Sequence, residues 1–209
     1  MVDTVKAYDD VASSFASDSL KWVPTGLINK FSSLLPKGAR VLDEGCGSGR
    51  DSEALYKKGF DVVGLDASRK VVEFAKSKFP KISFVKGDIR DLPFTGESFH
   101  GVWSHAVLLH METPRDVKKS LSEAYRVLKH NGVLHLFTKM YLGGKKTEVL
   151  KSYFFKEPRY FRYFKIEELS NLIIGAGFSN LEIEKLEESD VNNGGRCGVF
   201  WLHALASKI

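Results

Sequence analysis

The sequence predicts an α/β fold: a seven-stranded, mostly parallel sheet with helices on both faces and an antiparallel final strand. Up to about residue 138, short apolar runs alternate with segments of helical periodicity, as in successive βαβ units. These runs are apolar nearly throughout, which is typical of strands covered on both faces. The last two strand-like segments follow each other without a helix between them, and such strands pair in antiparallel fashion.

The elements follow from periodicity and from residues that end helices. Apolar residues recur at helical spacing over 4–18, and Pro24 opens a second helix that Pro36 ends. Gly59 and Gly177 end two later helices. The predicted helices are 4–18, 24–35, 48–58, 68–79, 113–129 and 166–176. The predicted strands are 39–44, 60–65, 82–85, 99–109, 133–138, 181–186 and 199–206.

Length and composition favour one globular domain that spans residues 1–209. No run of 18 apolar residues is present and the N-terminus lacks an apolar signal core, so we expect a cytoplasmic protein without a transmembrane helix. Cys46 and Cys197 are too few for a disulfide framework or a zinc site, and we expect no metal. Cys46 suits a small apolar position, with a reactive thiol as the alternative.

A glycine-rich turn follows the first strand. Gly45, Gly47 and Gly49 separate the apolar run 41–44 from a helix, and they let a ligand lie against bare backbone. The helix start adds unpaired N–H groups. In a dinucleotide-binding turn the third glycine would stand at Arg50, so the spacing weakens that interpretation.

Each of the first four strands ends in residues suited to a ligand. The first ends at Asp43, the second at Asp66, which lies 21 residues after Gly45, and the third at Asp88. The fourth ends near Ser104 and His105. Ligands of open parallel sheets bind at these carboxyl ends. Each aspartate could alternatively cap the next helix or form a local turn.

Four motifs in this order carry a resemblance. V-L-D-x-G-C-G-x-G, V-V-G-L-D-x-S, G-D-x-x-x-L-P-F and R-V-L-K-x-x-G, within about residues 36–140, resemble the class I S-adenosylmethionine-dependent methyltransferases. The run G-R-D-S at 49–52 is similar to that of the tellurite-resistance methyltransferases, and the small-molecule type also includes the UbiE-like enzymes. The resemblance implies a Rossmann-like fold, S-adenosylmethionine as cofactor and S-adenosylhomocysteine as product.

The resemblance also implies which residues hold the cofactor. Asp43 and the glycines would line its methionine part, Asp66 the ribose, and Asp88 with Ile89 the adenine. Arg50 would approach the methionine carboxylate, or else form a surface salt bridge. The full set is Asp43, Gly45, Cys46, Gly47, Gly49, Arg50, Asp66, Ala67, Asp88, Ile89, Ser104 and His105.

The chemistry of a methyl transfer asks little of the protein besides alignment, because the methyl group is already activated by the cofactor. A base is needed only if the nucleophile must lose a proton. His105 and His110 follow the fourth strand and are the candidates, with structural roles for both as the alternative. No Asn-Pro-Pro-Tyr motif follows that strand, which disfavours the known amino methylation of adenine or glutamine.

Two segments are expected to cover the site: an N-terminal helical lid over residues 1–35, and an inserted segment over 141–165. The inserted segment holds five Lys and two Arg against two Glu, and eight of the 25 aromatic residues. It could stack RNA bases, form an aromatic pocket for a small planar or acidic substrate, or simply pack Phe154, Phe155, Phe161 and Phe164 inward. In the lid, Tyr8, Phe15 and Trp22 could face the site or pack as an ordinary helix face. The substrate candidates are Tyr8, Trp22, Tyr141, Arg159 and Tyr160.

Three functions remain open. The first is methyl transfer to a small molecule by in-line displacement. The second is methyl transfer to RNA or protein, against which the neutral remainder of the chain argues. The third is a non-catalytic cofactor-binding module, against which the intact glycines and aspartates argue.

Overall fold

The computed structural model describes residues 3–151, 155, 157–191 and 196–209. The helices within them are α1 (Thr4–Asp10), α2 (Ala12–Ser19), α3 (Thr25–Ser33), α4 (Arg50–Lys57), α5 (Arg69–Lys78), α6 (Pro114–Val127), α7 (Ile166–Gly175) and α8 (Glu188–Val191). The strands are β1 (Arg40–Glu44), β2 (Asp61–Asp66), β3 (Ser83–Lys86), β4 (Phe99–His105), β5 (Leu128–Lys139), β6 (Thr147–Leu150), β7 (Arg159–Arg162), β8 (Ser179–Glu187) and β9 (Phe200–Ser207). None of the described helices has the length and apolar character needed to cross a membrane.

The main sheet has seven strands in the order β3-β2-β1-β4-β5-β9-β8. Strands β1 to β5 are parallel to one another. β9 runs antiparallel to both of its neighbours, β5 and β8. The predicted fold class is therefore confirmed, including the antiparallel final strand. The strand order reverses between β1 and β4, where a ligand of such a sheet is expected to bind.

The sheet is buried on both faces by two apolar clusters. On one face, Leu42 and Val102 pack with residues of α6 and α7. On the other, Val41 and Trp103 pack with residues of α3, α4 and α5. Successive residues of one strand thus enter opposite clusters, and this explains why the central strands lack polar alternation.

The predicted helix 4–18 is wrong as one unit, because the structure breaks it at Val11. The backbone of Val11 leaves helical geometry (φ −121°, ψ 16°), and its N–H donates to the carbonyl of Tyr8, three residues back. The break lets α1 and α2 both pack against α5. The predicted role of Phe15 concerns a side chain outside those that the structure describes.

The inserted segment contains a hairpin that the sequence did not predict. Strands β6 and β7 pair antiparallel, with Thr147 opposite Arg162. β4 ends earlier than the predicted 99–109, because Ala106 adopts a positive φ of 59° before a 3₁₀ turn at Leu108–His110. The predicted inward packing of Phe154 lies outside the described residues, whereas Phe155, Phe161 and Phe164 are buried.

Candidate functional site

The floor of the site is the glycine-rich turn between β1 and α4. Gly45, Gly47 and Gly49 all have positive φ, of 68°, 51° and 80°. A Cβ on Gly45 would lie 2.5 Å from the Cβ of Val107, so only glycine fits there. A Cβ on Gly47 would meet nothing within 4 Å. The turn therefore presents bare backbone toward open space at the carboxyl end of β1.

Asp66 fixes this turn. One carboxylate oxygen accepts from the backbone N–H of Gly47 at 3.0 Å, and the other accepts from that of Ser68 at 2.8 Å. Burial raises the pKa of Asp66, against the lowering effect of these two backbone donors. The predicted ribose-binding residue thus also holds the glycine-rich turn to the end of β2.

A cavity of about 1510 Å³ opens above the floor at the carboxyl ends of the parallel strands. This exceeds the roughly 300–1,000 Å³ typical of a site for one small ligand. The predicted cofactor residues that line it are Asp43, Gly45, Cys46, Gly47, Arg50, Asp66, Ala67, Asp88, Ile89 and His105. Two predicted residues do not line it: Gly49 packs beneath the turn against Phe84, and Ser104 is buried within β4.

A buried charge cluster supports the floor from below. Arg50 donates to both carboxylate oxygens of Asp51, at 2.6 and 2.9 Å, and the indole N–H of Trp103 donates to Asp51 at 3.0 Å. Burial raises the pKa of Asp51, but Arg50, together with His105 and the indole of Trp103, outweighs that effect and the pKa is lowered. Burial and the neighbouring Asp51 raise the pKa of Asp43, which accepts from the Ser52 hydroxyl.

This cluster bears on both interpretations of Arg50 and contains a residue that the sequence analysis missed. Arg50 forms an ion pair at the helix start, as one interpretation predicted, but the pair is largely buried and Arg50 still lines the cavity. Asp51 was missed, although it stands directly after Arg50 in the G-R-D-S run. Cys46 is buried, and burial holds the pKa of its thiol well above the usual value, so the thiol stays protonated.

Asp88, which follows β3, both forms a local turn and lines the cavity wall. Asp88 accepts from the Arg90 side chain at 2.6–3.0 Å and from the Arg90 backbone N–H at 2.8 Å. Burial raises the pKa of Asp88, but the hydrogen bonds from Arg90 outweigh it and the pKa is lowered. Asp88 and Ile89 remain side by side in the lining, as the assignment to adenine requires.

The two candidate histidines lie in the cavity wall in different networks. His110 donates from Nδ1 to the carbonyl of Tyr160 at 2.7 Å, which leaves Nε2 to accept from the Tyr8 hydroxyl at 3.0 Å. His105 contacts His135 at 3.4 Å through Nδ1 and stacks on Phe137. Burial lowers the pKa of His105 to about 3 and that of His110 to about 4. Both are therefore neutral at physiological pH.

The far wall of the cavity is cationic and aromatic. Arg159 lies over the rings of Phe155 and Phe161, at 3.6 and 5.0 Å from their centroids, and donates to the Tyr8 hydroxyl at 3.3 Å. Lys139 lies 5.4 Å from the ring centroids of both Phe161 and Trp201. Neither cation forms an ion pair with a described residue. Burial lowers the pKa of Lys139.

Of the predicted substrate residues, Tyr8 and Arg159 line the cavity and the other three do not. Trp22 is 41% exposed at the surface. The hydroxyls of Tyr141 and Tyr160 donate to the carbonyls of Gly144 and Glu112. The lining residues that sequence reasoning missed on this wall are Phe137, Lys139, Arg196 and Trp201.

Comparison with known proteins agrees with this geometry. Residues 42–136 match the family model described as a methyltransferase domain. A demethylmenaquinone methyltransferase of Renibacterium salmoninarum is 40% identical over 97 residues, which cover 46% of this chain and 40% of that protein. The chain spans about half the length, or less, of the first curated relatives that it matches.

Two solved structures share the fold. An S-adenosylmethionine-dependent methyltransferase of Methanosarcina mazei superposes with a TM-score of 0.74 at 21% identity, over 85% of this chain and 95% of that one. The second is the 1,6-didemethyltoxoflavin-N1-methyltransferase of Burkholderia thailandensis, solved with 1,6-didemethyltoxoflavin and S-adenosylhomocysteine bound. It superposes with a TM-score of 0.72 at 19% identity, over 98% of this chain and 84% of that one. In its motifs, its relatives and its sheet order, the chain is similar to the S-adenosylmethionine-dependent methyltransferases, and it shares their fold.

Proposed function

We propose that the chain transfers the methyl group of S-adenosylmethionine to a small, planar, anionic acceptor. The observation that carries the proposal is the division of one cavity into a glycine and aspartate floor and a cationic, aromatic wall. The volume exceeds that typical of a single small ligand, so a cofactor and an acceptor have room side by side.

The residues of the floor fit the cofactor. The bare backbone at Gly47 faces open space in which a ligand can lie, and Asp66 retains lone pairs for ribose hydroxyls beside its two backbone donors. Asp88 and Ile89 offer an acceptor and an apolar face to adenine. When bound, the cofactor supplies a methyl group on a sulfonium, which makes that methyl electrophilic.

The residues of the wall fit the acceptor. The rings of Phe137, Phe161 and Trp201 offer flat apolar surface to a planar molecule. Arg159 and Lys139 carry positive charge and form no ion pair with a carboxylate among the described residues. An anionic group of the acceptor would form an ion pair with both. The neighbour in fold from Burkholderia thailandensis was solved with 1,6-didemethyltoxoflavin bound beside S-adenosylhomocysteine, which is compatible with two ligands in one cavity.

We further propose that residues 1–35 and 141–165 act as the lid of this site. The backbone N–H of Tyr160 donates to the Thr4 hydroxyl at 3.1 Å, and Tyr8 links Arg159 to His110. These contacts join α1 to β7 above the cavity. They support a cover that excludes water and holds the acceptor in line with the methyl group.

A methyl-transfer screen tests the proposal. We expect labelled methyl to enter small anionic aromatic compounds, and not bulk RNA or protein. Incorporation into RNA or protein alone would contradict the small-molecule acceptor, and cofactor binding without any incorporation would favour a non-catalytic module.

Arg159→Gln tests the wall directly. Loss of a charge-assisted hydrogen bond worth about 1.5–3 kcal/mol predicts a kcat/KM that is roughly 10- to 100-fold lower. The dissociation constant of the cofactor should stay unchanged in titration calorimetry. Lys165→Gln is the matched control, because Lys165 lies over the ring of Tyr141 in the same segment and does not line the cavity.

A further inference from the structure

Four polar groups form a continuous hydrogen-bonded chain across the sheet. His105 Nδ1 lies 3.4 Å from His135 Nε2, and His135 Nδ1 lies 3.1 Å from His203 Nε2. His203 Nδ1 then lies 2.7 Å from a carboxylate oxygen of Glu184. The chain begins at the cavity wall, crosses β4, β5, β9 and β8, and ends at a side chain that is 45% exposed.

The carboxylate at one end determines the proton positions along the whole chain. Because Glu184 only accepts, His203 must carry its proton on Nδ1, and its Nε2 then accepts from His135 Nδ1. By the same rule His135 Nε2 accepts from His105 Nδ1. A neutral His105 is left with an unprotonated Nε2, the nitrogen that the hydrogen-bonded chain does not use, on a residue that lines the cavity.

The surroundings favour neutral rings between the two ends. His135 and His203 are 0% and 1% exposed, and the indole of Trp103 stacks on His135 at 3.5 Å between centroids. Burial lowers the pKa values of all three histidines. An imidazolium trapped in this row would therefore be costly.

Charged groups face both ends of the chain. At the cavity end, Asp51 favours a cationic His105 and Arg50 opposes it. At the outer end, Lys30 lies 3.1 Å from Glu184 and 3.7 Å from Glu182. The two carboxylates raise the pKa of His203, and Lys30 lowers it. Hydrogen bonds from His203 and Lys30 lower the pKa of Glu184, so its half-exposed carboxylate is ionised, and it is the group in direct contact with His203 that can take a proton passed outward.

We propose that Glu184, His203 and His135 are positioning residues that make Nε2 of His105 the base for the acceptor proton, an inference that rests on the proposed methyl transfer. The acceptor O–H or N–H bond breaks as its atom gains the methyl group, and the proton binds His105 Nε2. The Nδ1 proton of each histidine passes to Nε2 of the next, and the last passes to the Glu184 carboxylate.

This sequence of transfers balances and leaves no buried imidazolium. One proton enters at His105, and one negative charge is neutralised at Glu184. After the product leaves, the same transfers run in reverse and return the proton to water in the cavity. The original proton positions are thereby restored without rotation of any buried ring.

Nitrogen NMR of the full chain with ¹⁵N-labelled histidine tests the proton positions without any turnover. We expect His105, His135 and His203 as Nδ1–H tautomers, with His110 as an internal reference because it donates from Nδ1 to Tyr160. A wild-type His105 that carries its proton on Nε2 would overturn the proposal. This result stands even if no methyl acceptor is ever found, so it separates failure of the relay from failure of the proposed function.

Kinetics of Glu184→Gln test the proton transfer. We expect kcat to fall about 10- to 100-fold for acceptors that lose a proton, with KM and cofactor affinity unchanged. Acceptors that carry no proton on the methylated atom should be unaffected. Glu184→Asp keeps the charge and should recover part of kcat. Glu182→Gln removes a carboxylate of the same strand that only acts on His203 from a distance, so it is the matched control and should lower kcat far less. Equal kcat in wild type and Glu184→Gln, or equal losses in the two Gln variants, would overturn the relay.

Discussion

Glu44→Gln tests how the ionisation of a buried carboxyl group next to the glycine-rich turn affects the free energy of unfolding. Glu44 ends β1, is 2% exposed, and lies beside Leu65 and Ser104 in the sheet register. One of its carboxylate oxygens and the Ser104 hydroxyl lack a hydrogen-bond partner of good geometry among the described residues. Burial raises the pKa of Glu44 from 4.5 to about 7, and the nearby Ser104 hydroxyl opposes this shift.

The raised pKa of Glu44 determines how the free energy of unfolding changes with pH. Below pH 4.5 the carboxyl group is neutral in both the folded and the unfolded chain, so it costs nothing. As pH rises toward 7, the unfolded chain ionises first and the folded state loses stability relative to it. Above pH 7 the wild type carries a penalty of up to about 3 kcal/mol, from the difference of about 2.5 pKa units.

Glu44→Gln removes the ionisation and with it the penalty. We expect its free energy of unfolding to exceed that of the wild type by about 1–3 kcal/mol more at pH 8 than at pH 4.5. Urea denaturation from pH 4.5 to 8 measures the difference. Glu73→Gln, a change at a 60% exposed position on α5, is the control and should give a flat difference. A flat difference for Glu44→Gln as well would refute the reasoning.

Three further predictions concern the floor and the lid. Gly45→Ala should weaken cofactor binding at least about 10-fold in calorimetry, because its Cβ would strike Val107 and its φ is positive; Gly26→Ala, with open space in α3, is the control and should bind normally. Asp66→Asn should raise the cofactor dissociation constant about 10-fold or more, since it weakens an acceptor for two backbone N–H groups; unchanged affinity would contradict its role. Tyr8→Phe should raise KM for the acceptor by roughly 3- to 10-fold through loss of the hydroxyl between Arg159 and His110; an unchanged KM would remove α1 from the lid.

The floor of the site could be predicted because its signals are local. Asp43 and Asp66 each end a short apolar run, and the glycines follow directly in sequence. The strand order then places these ends together at one edge, as in any open parallel sheet. The break at Val11 escaped prediction because it depends on how α1 and α2 pack against α5, and not on periodicity.

Tyr8, Arg159 and His105 were predicted at the site, but the rest of the wall and of the histidine chain could not be predicted, because long-range strand pairing creates them. Lys139 meets Trp201 only through the antiparallel register of β5 and β9. In the sequence, His135 and His203 are 68 residues apart, and His203 and Glu184 are 19 residues apart. They come into contact only because β5, β9 and β8 are neighbours in the sheet. Nothing in the spacing of single residues signals such a row.

The arrangement of charge in the cavity supports the proposed pairing of a cationic methyl donor with an anionic acceptor. Asp66 and Asp88 lie at the end of the cavity assigned to the cofactor, whereas Lys139 and Arg159 lie on the wall assigned to the acceptor. A cationic donor is attracted to the first region and repelled by the second, and an anionic acceptor experiences the reverse. Under the proposed function, charge therefore favours one donor and one acceptor in the same cavity over two copies of either. Neutralising Arg159 should accordingly relax the choice of acceptor as well as slow the reaction.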